Sequence, residues 1–162
     1  MKQNHNKFWM LAMVLMFFSC KDTAVMDTYL STGNEWDRKD VKIFEFTAED
    51  SLQKYNLFIN LRADYQYPYS NIYLIVKMHS PNGKSWVDTL QYPMATPSGE
   101  LLGNGLTDLK ESQLWFKSNY NFSNKGLYKI EIEHAMRNAK SEKGDEKLPG
   151  VSDVGLRIEK AI

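Results

Sequence analysis

From Leu127 to Met136 apolar and polar residues alternate with period two. Tyr128, Ile130, Ile132 and Met136 fall on one side, and Lys129, Glu131 and Glu133 on the other. A helix repeats its face every 3.6 residues, so this spacing specifies a half-buried strand. The same rule governs three more segments. Tyr55, Leu57, Ile59 and Leu61 alternate with Asn56, Asn60 and Arg62, broken only by Phe58. Ile72, Leu74, Val76 and Met78 alternate with Tyr73, Ile75, Lys77 and His79, and Val154, Leu156 and Ile158 with Asp153, Arg157 and Glu159. Phe44 and Phe46 mark an earlier strand, and Trp86, Val87 and Leu90 another. Between Ser80 and Trp86 lies Pro81-Asn82-Gly83, and Asn-Gly tolerates the positive φ of a tight hairpin. Asn104-Gly105 and Asn124-Lys125-Gly126 read as further turns. Helical spacing appears after the first 20 residues only as one turn over Leu106–Ser112. Seven to nine short antiparallel strands predict an all-β fold, a single antiparallel β-sandwich of Ig-like or jelly-roll-like form.

The N-terminus obeys a different rule. Lys2 and Lys7 precede an apolar run from Phe8 to Phe18, followed by Ser19 and Cys20, the single cysteine of the chain. A positive start, a short apolar stretch and a small residue before a cut site make a secretory signal peptide. A bilayer-spanning helix needs about 20 apolar residues, nearly twice this run. A cysteine directly after the cut site is the mark of a lipoprotein, cleaved between Ser19 and Cys20 and acylated on the Cys20 thiol. An ordinary signal peptide with a coincidental cysteine is the alternative. The expected organisation is a lipoprotein signal peptide at 1–19, a lipidated tether at 20–30 and a β-sandwich domain at 31–162. One cysteine permits no internal disulfide, so the fold must stand on its core.

Cleavage leaves about 143 residues, enough for one domain that buries roughly two-thirds of its unfolded surface. The whole chain balances 20 basic against 20 acidic side chains, and the signal removes Lys2 and Lys7, leaving a slightly acidic domain. That balance argues against nucleic acid and against electrostatic adhesion to anionic lipid. The acyl chains must then hold the membrane, and stable anchoring takes more than one. Lys140–Lys147 is a charged stretch with almost nothing to bury, and reads as an exposed loop.

Chemistry is sparse. His79 and His134 belong to no ligand cluster of the kind structural zinc requires, and His134 falls on the apolar face of its strand. There is no Gly-x-Ser-x-Gly elbow and no phosphate-cradling loop before a helix. Gly99–Gly105 holds three glycines around Leu101 and Leu102, and reads as a bend or strand edge. No catalytic residue, metal ligand or cofactor is expected. Tyr65, Tyr67 and Tyr69, set around Pro68, are candidates for partner contact together with Arg62. Core or loop packing is the alternative for the tyrosines, and local carboxylate pairing for the arginine.

These residues resemble the GldH family of gliding motility lipoproteins of Bacteroidetes over nearly the whole chain. The resemblance rests on Cys20, Trp36, the segment Leu61–Asn71, the turn Pro81-Asn82-Gly83 followed by Asp88-Thr89-Leu90, the strand from Gly126-Leu127-Tyr128 to Met136-Arg137, and the closing block Leu148–Lys160. The family tends to show Trp-Leu-Gly where this chain has Leu101-Leu102-Gly103. The resemblance implies an envelope lipoprotein needed for gliding and linked to type IX secretion. It also implies contacts with other gliding or secretion lipoproteins or outer-membrane components, and brings no enzymatic activity or cofactor. Outer-membrane anchoring through Cys20 is expected. Lys21-Asp22 resembles the short lysine-plus-acidic signal that sends some such lipoproteins to the cell surface, the alternative being a plain polar tether. A competing expectation is a surface glycan-binding module of a polysaccharide uptake system, presenting a planar row of exposed aromatics from Tyr65 to Tyr69.

Overall fold

The computed structural model describes residues 24–138 and 144–161, and ten strands lie among them. In order they are β1 (Ala24–Ser31), β2 (Glu35–Asp37), β3 (Lys42–Ala48), β4 (Lys54–Ala63), β5 (Asn71–His79), β6 (Ser85–Pro93), β7 (Lys110–Asn121), β8 (Gly126–His134), β9 (Lys147–Pro149) and β10 (Val151–Lys160). Eight of them form two antiparallel four-stranded sheets, ordered β1-β10-β4-β7 and β3-β8-β5-β6. Among the connections between these eight, only the β5–β6 hairpin stays within one sheet. Eight strands in two sheets with this interleaving make a jelly roll, the second of the two sandwich forms left open by the sequence. The short β2 and β9 pair beside the sandwich, Trp36 opposite Leu148.

The period-two positions meet between the sheets. Leu57, Ile59 and Leu61 of β4 and Leu156 and Ile158 of β10 are buried against Ile72, Leu74 and Val76 of β5 and Ile130 and Ile132 of β8. Phe58, which breaks the alternation, turns to the outer face and packs on the exposed Trp115 of β7 at 4.4 Å between ring centroids. Phe122 is fully buried and plugs one end of the core, with the centroids of the Phe46, Tyr55, Tyr120 and Tyr128 rings 4.7–5.4 Å from its own. The β6 and β7 edges are tied by side chains. Lys117 Nζ lies 2.8 Å from Asp88 Oδ2, and the Tyr92 hydroxyl donates to the Trp115 carbonyl. Such bridges protect strand edges from outside pairing.

Two expectations are corrected. Residues 20–30 do not form a tether throughout, because Ala24–Ser31 is β1, with Tyr29 opposite Gly155 and Leu30 opposite Val154. As an edge strand, part-exposed on both faces, it shows little contrast between them, and its partner lies over a hundred residues away. The helical turn over Leu106–Ser112 is absent: Leu106 and Leu109 are exposed loop residues and Lys110 opens β7. Pairing along β4 overrides the weak local spacing.

The connections are asymmetric. Residues 49–53, 80–84 and 122–125 are short turns at the end where β1 begins. The longer connections 32–41, 64–70 and 94–109, with residues 135–138 and 144–146, lie at the opposite end, about 30 Å away along the ten-residue β4.

Candidate functional site

Two of those longer connections form an open cleft of about 710 Å³. One wall is the β4–β5 connection. Asp64 Oδ1 accepts from the Gln66 N–H at 2.9 Å and the Asp64 carbonyl from the Tyr67 N–H at 3.0 Å, which folds the turn. The Asp64 N–H in turn donates to the Gly150 carbonyl at 2.8 Å. The other wall is the β6–β7 connection. Ser70 O accepts from the Met94 N–H at 2.8 Å, a bridge joins Ala95 to Leu101, and Asn104 and Glu111 exchange two backbone hydrogen bonds of 2.8 Å each. Gly103, at φ +115°, allows this approach, since a Cβ there would stand 2.5 Å from the Glu111 carbonyl oxygen.

The three tyrosines play different parts. Tyr65 is 74 % exposed at the cleft rim. Tyr67 is buried at 6 %, and its hydroxyl donates to the Asn71 carbonyl at 2.7 Å. Tyr69 is half-buried, its hydroxyl bonded to the Asp145 carboxylate. The Tyr67 and Tyr69 rings meet edge-on at 74° and 6.1 Å, so the segment is not a planar row of exposed rings. Burial raises the Tyr67 phenol pKa, and the bond to Asp145 together with burial pushes Tyr69 up to about 12. Both phenols remain protonated donors at neutral pH.

Arg62 is not brought to the cleft. On the outer face of the first sheet its Nε lies 2.7 Å from Glu111 Oε2 and its guanidinium sits 4.2 Å over the Tyr29 ring. The Tyr29 hydroxyl donates to Glu111 Oε1 at 3.0 Å and accepts from Asn60 Nδ2 at 2.8 Å. Ser19 and Cys20, with Lys21-Asp22, lie outside the described residues.

Sequence reading missed the second wall. Leu106 is fully exposed, and Glu100 and Asp108 are exposed carboxylates lining the same cleft. The glycines at 99–105 were the available signal, but which segment they would face depends on the inter-sheet connections.

The two histidines among the described residues sit apart, His79 opposite Lys129 and His134 opposite Leu74 on the same sheet. No group of three potential metal ligands gathers among the described residues. His134 is fully buried beside Trp36, rings 5.3 Å apart, and its Nε2 lies 3.1 Å from the Trp36 carbonyl. That carbonyl can only accept, so Nε2 carries the proton. Burial lowers the His134 pKa, opposed by the Trp36 hydrogen bond and aided by Arg38. The unfolded imidazole titrates near 6.5, so at lower pH the unfolded chain binds more protons than the native one. Stability contributed by neutral His134 is therefore present above about pH 6.5 and lost as pH falls through the lower native pKa. The urea midpoint should drop from pH 7 to pH 5, and drop less in His134→Gln. Equal drops in both proteins would assign the effect to other groups.

Fold and site define a small β-sandwich module with a loop-built cleft at one end. The GldH lipoprotein family model matches residues 24–158, so the chain belongs to the GldH lipoprotein family. It is 45 % identical over 150 residues to the gliding motility lipoprotein GldH of Flavobacterium johnsoniae, covering 93 % of each chain. It is 42 % identical over 161 residues to a gliding motility lipoprotein GldH homolog of Christiangramia forsetii, covering 99 % of each. Membership makes it a gliding-motility lipoprotein of the cell envelope, associated with a membrane. The infectious bursal disease virus VP2 subviral particle overlays with a TM-score of 0.39 and 11 % identity, over 82 % of this chain and 32 % of that one, too slight a likeness for inference.

Proposed function

We propose that this protein is a non-enzymatic component of the gliding machinery and its associated type IX secretion apparatus, held at the outer membrane by acylated Cys20 and acting through protein contacts. The observation that carries this reading is the polarity of the domain. β1 begins at Ala24, four residues after Cys20, and the long connections gather at the far end. Four residues reach at most about 14 Å. A lipid on Cys20 would hold the turn-bearing end near the membrane and present the cleft about 30 Å further out, at the spacing of ten strand residues. Confinement to a membrane raises the effective concentration of the domain near other anchored components. Ser19 is the last residue of the signal, and Arg62 positions Glu111 beside the cleft wall.

Cys20→Ala is the test. The variant should be released or mislocalised and fail to support gliding and secretion of type IX substrates. Full motility with normal membrane fractionation would overturn the proposal. The glycan-binding alternative has less support, since Tyr65 alone of the three tyrosines offers an exposed ring.

A further inference from the structure

We propose that the cleft between the β4–β5 and β6–β7 connections docks an extended cationic peptide segment of an envelope partner, an inference that rests on the protein-contact reading above. The walls are pinned by backbone hydrogen bonds, so binding requires little ordering. Tyr65 and the fully exposed Leu106 line it, two large side chains left in water on the same cleft. The same lining carries two carboxylates, Glu100 and Asp108, and neither forms an ion pair among the described residues. The one lining cation, Lys110, donates its ammonium to the Gly105 carbonyl at 2.6 Å and is turned into its own loop.

Such a surface matches a lysine or arginine flanked by apolar residues. The cation meets the carboxylates and the face of the Tyr65 ring, and the apolar flank covers Leu106. On the β4–β5 wall the exposed Pro68, with the half-buried Tyr69 beside it, offers an apolar surface along which an extended backbone can lie. A lipid headgroup is disfavoured because the cleft lies at the end remote from Ala24, where β1 begins, and a sugar because no planar ring platform is present.

The test uses the full lipidated chain in intact cells. A photo-crosslinking residue is placed at Tyr65 or at Leu106, with Leu127, an exposed position at the opposite end, as control. Captured peptides are identified by mass spectrometry. Tyr65 and Leu106 should capture the same segment, of net positive charge, and Leu127 should not. In Glu100→Lys/Asp108→Lys, capture should fall at least about 10-fold, the effect of roughly 1.4 kcal/mol of lost or reversed charge interaction. Both substituted positions are exposed, so membrane fractionation and Tm should hold. Unchanged capture in the double variant, an acidic captured segment, a glycan or a second copy of this chain would each overturn the inference. Failure here with normal Cys20 dependence of gliding would sink the cleft assignment alone. Gliding independent of Cys20 would sink the anchored-component reading instead.

Discussion

Trp36→Ala is expected to destabilise the domain by about 3–5 kcal/mol, the range for truncating a large buried aromatic. Trp36 has no exposed surface. It sits on the three-residue β2, pairs with the equally buried Leu148 of β9, and donates its indole N–H to the Asp40 carbonyl at 2.9 Å. Its ring packs edge-on against His134. The truncation would open a cavity at the cleft end of the core and strip the Asp40 carbonyl of a donor, so both costs fall on one residue. Domains of this kind hold about 5–15 kcal/mol in total. A loss of this size should lower Tm by roughly 10–20 °C. Trp115→Ala supplies the contrast: its ring lies on the outer face against Phe58, more than half exposed, and its loss should cost under about 1 kcal/mol. Thermal melts of the two variants by circular dichroism decide the matter. Comparable melting temperatures would show that β2 and β9 are not integral to the core.

Gly150→Ala is expected to cost about 2–5 kcal/mol and to displace the tyrosine segment. Gly150 joins β9 to β10 at φ +79°, where an L side chain is strained by about 1–2 kcal/mol. A Cβ there would stand 2.2 Å from the Tyr67 backbone nitrogen and 2.7 Å from the Gln66 carbonyl carbon, and relieving such overpacking costs a further ~1–3 kcal/mol. Because Gly150 also donates to Asn34 and accepts from Asp64, the strain passes into two cleft-end connections. Gly33→Ala separates the causes. Gly33 has φ +71° but no atom within 4 Å of its would-be Cβ, so only backbone strain should appear. Urea titration gives the stabilities, and Tyr65 crosslinking reports the displacement. Equal destabilisation by the two substitutions would refute the close-packing argument.

Legibility followed the physics of each element. Strands β4, β5, β8 and β10 declare themselves because one face of each lies on a dry core and the other is largely polar, so periodicity records burial. β1 is hidden because an edge strand is half-wet on both faces. β2 and β9 are too short to show a period. β7 mixes Leu114 and Phe116 on the core side with Trp115 outside, which blurs its alternation. In the cleft, the tyrosine segment stood out by composition, but exposure within it did not: Tyr67 is buried and Tyr65 is not, and only the Gly150 turn and the Asn71 carbonyl explain the difference.

By itself the sequence determined the all-β class, most of the strands and the family. Each follows from local spacing or from residue order along the chain. Tertiary structure decided the jelly-roll strand order, the conversion of part of the expected tether into β1, and the meeting of Tyr65 with Leu106, Glu100 and Asp108. These depend on which distant strands pair and at which end their connections emerge. Long-range backbone pairing is common to all strands and carries no side-chain signature, so it leaves no periodic trace in the sequence.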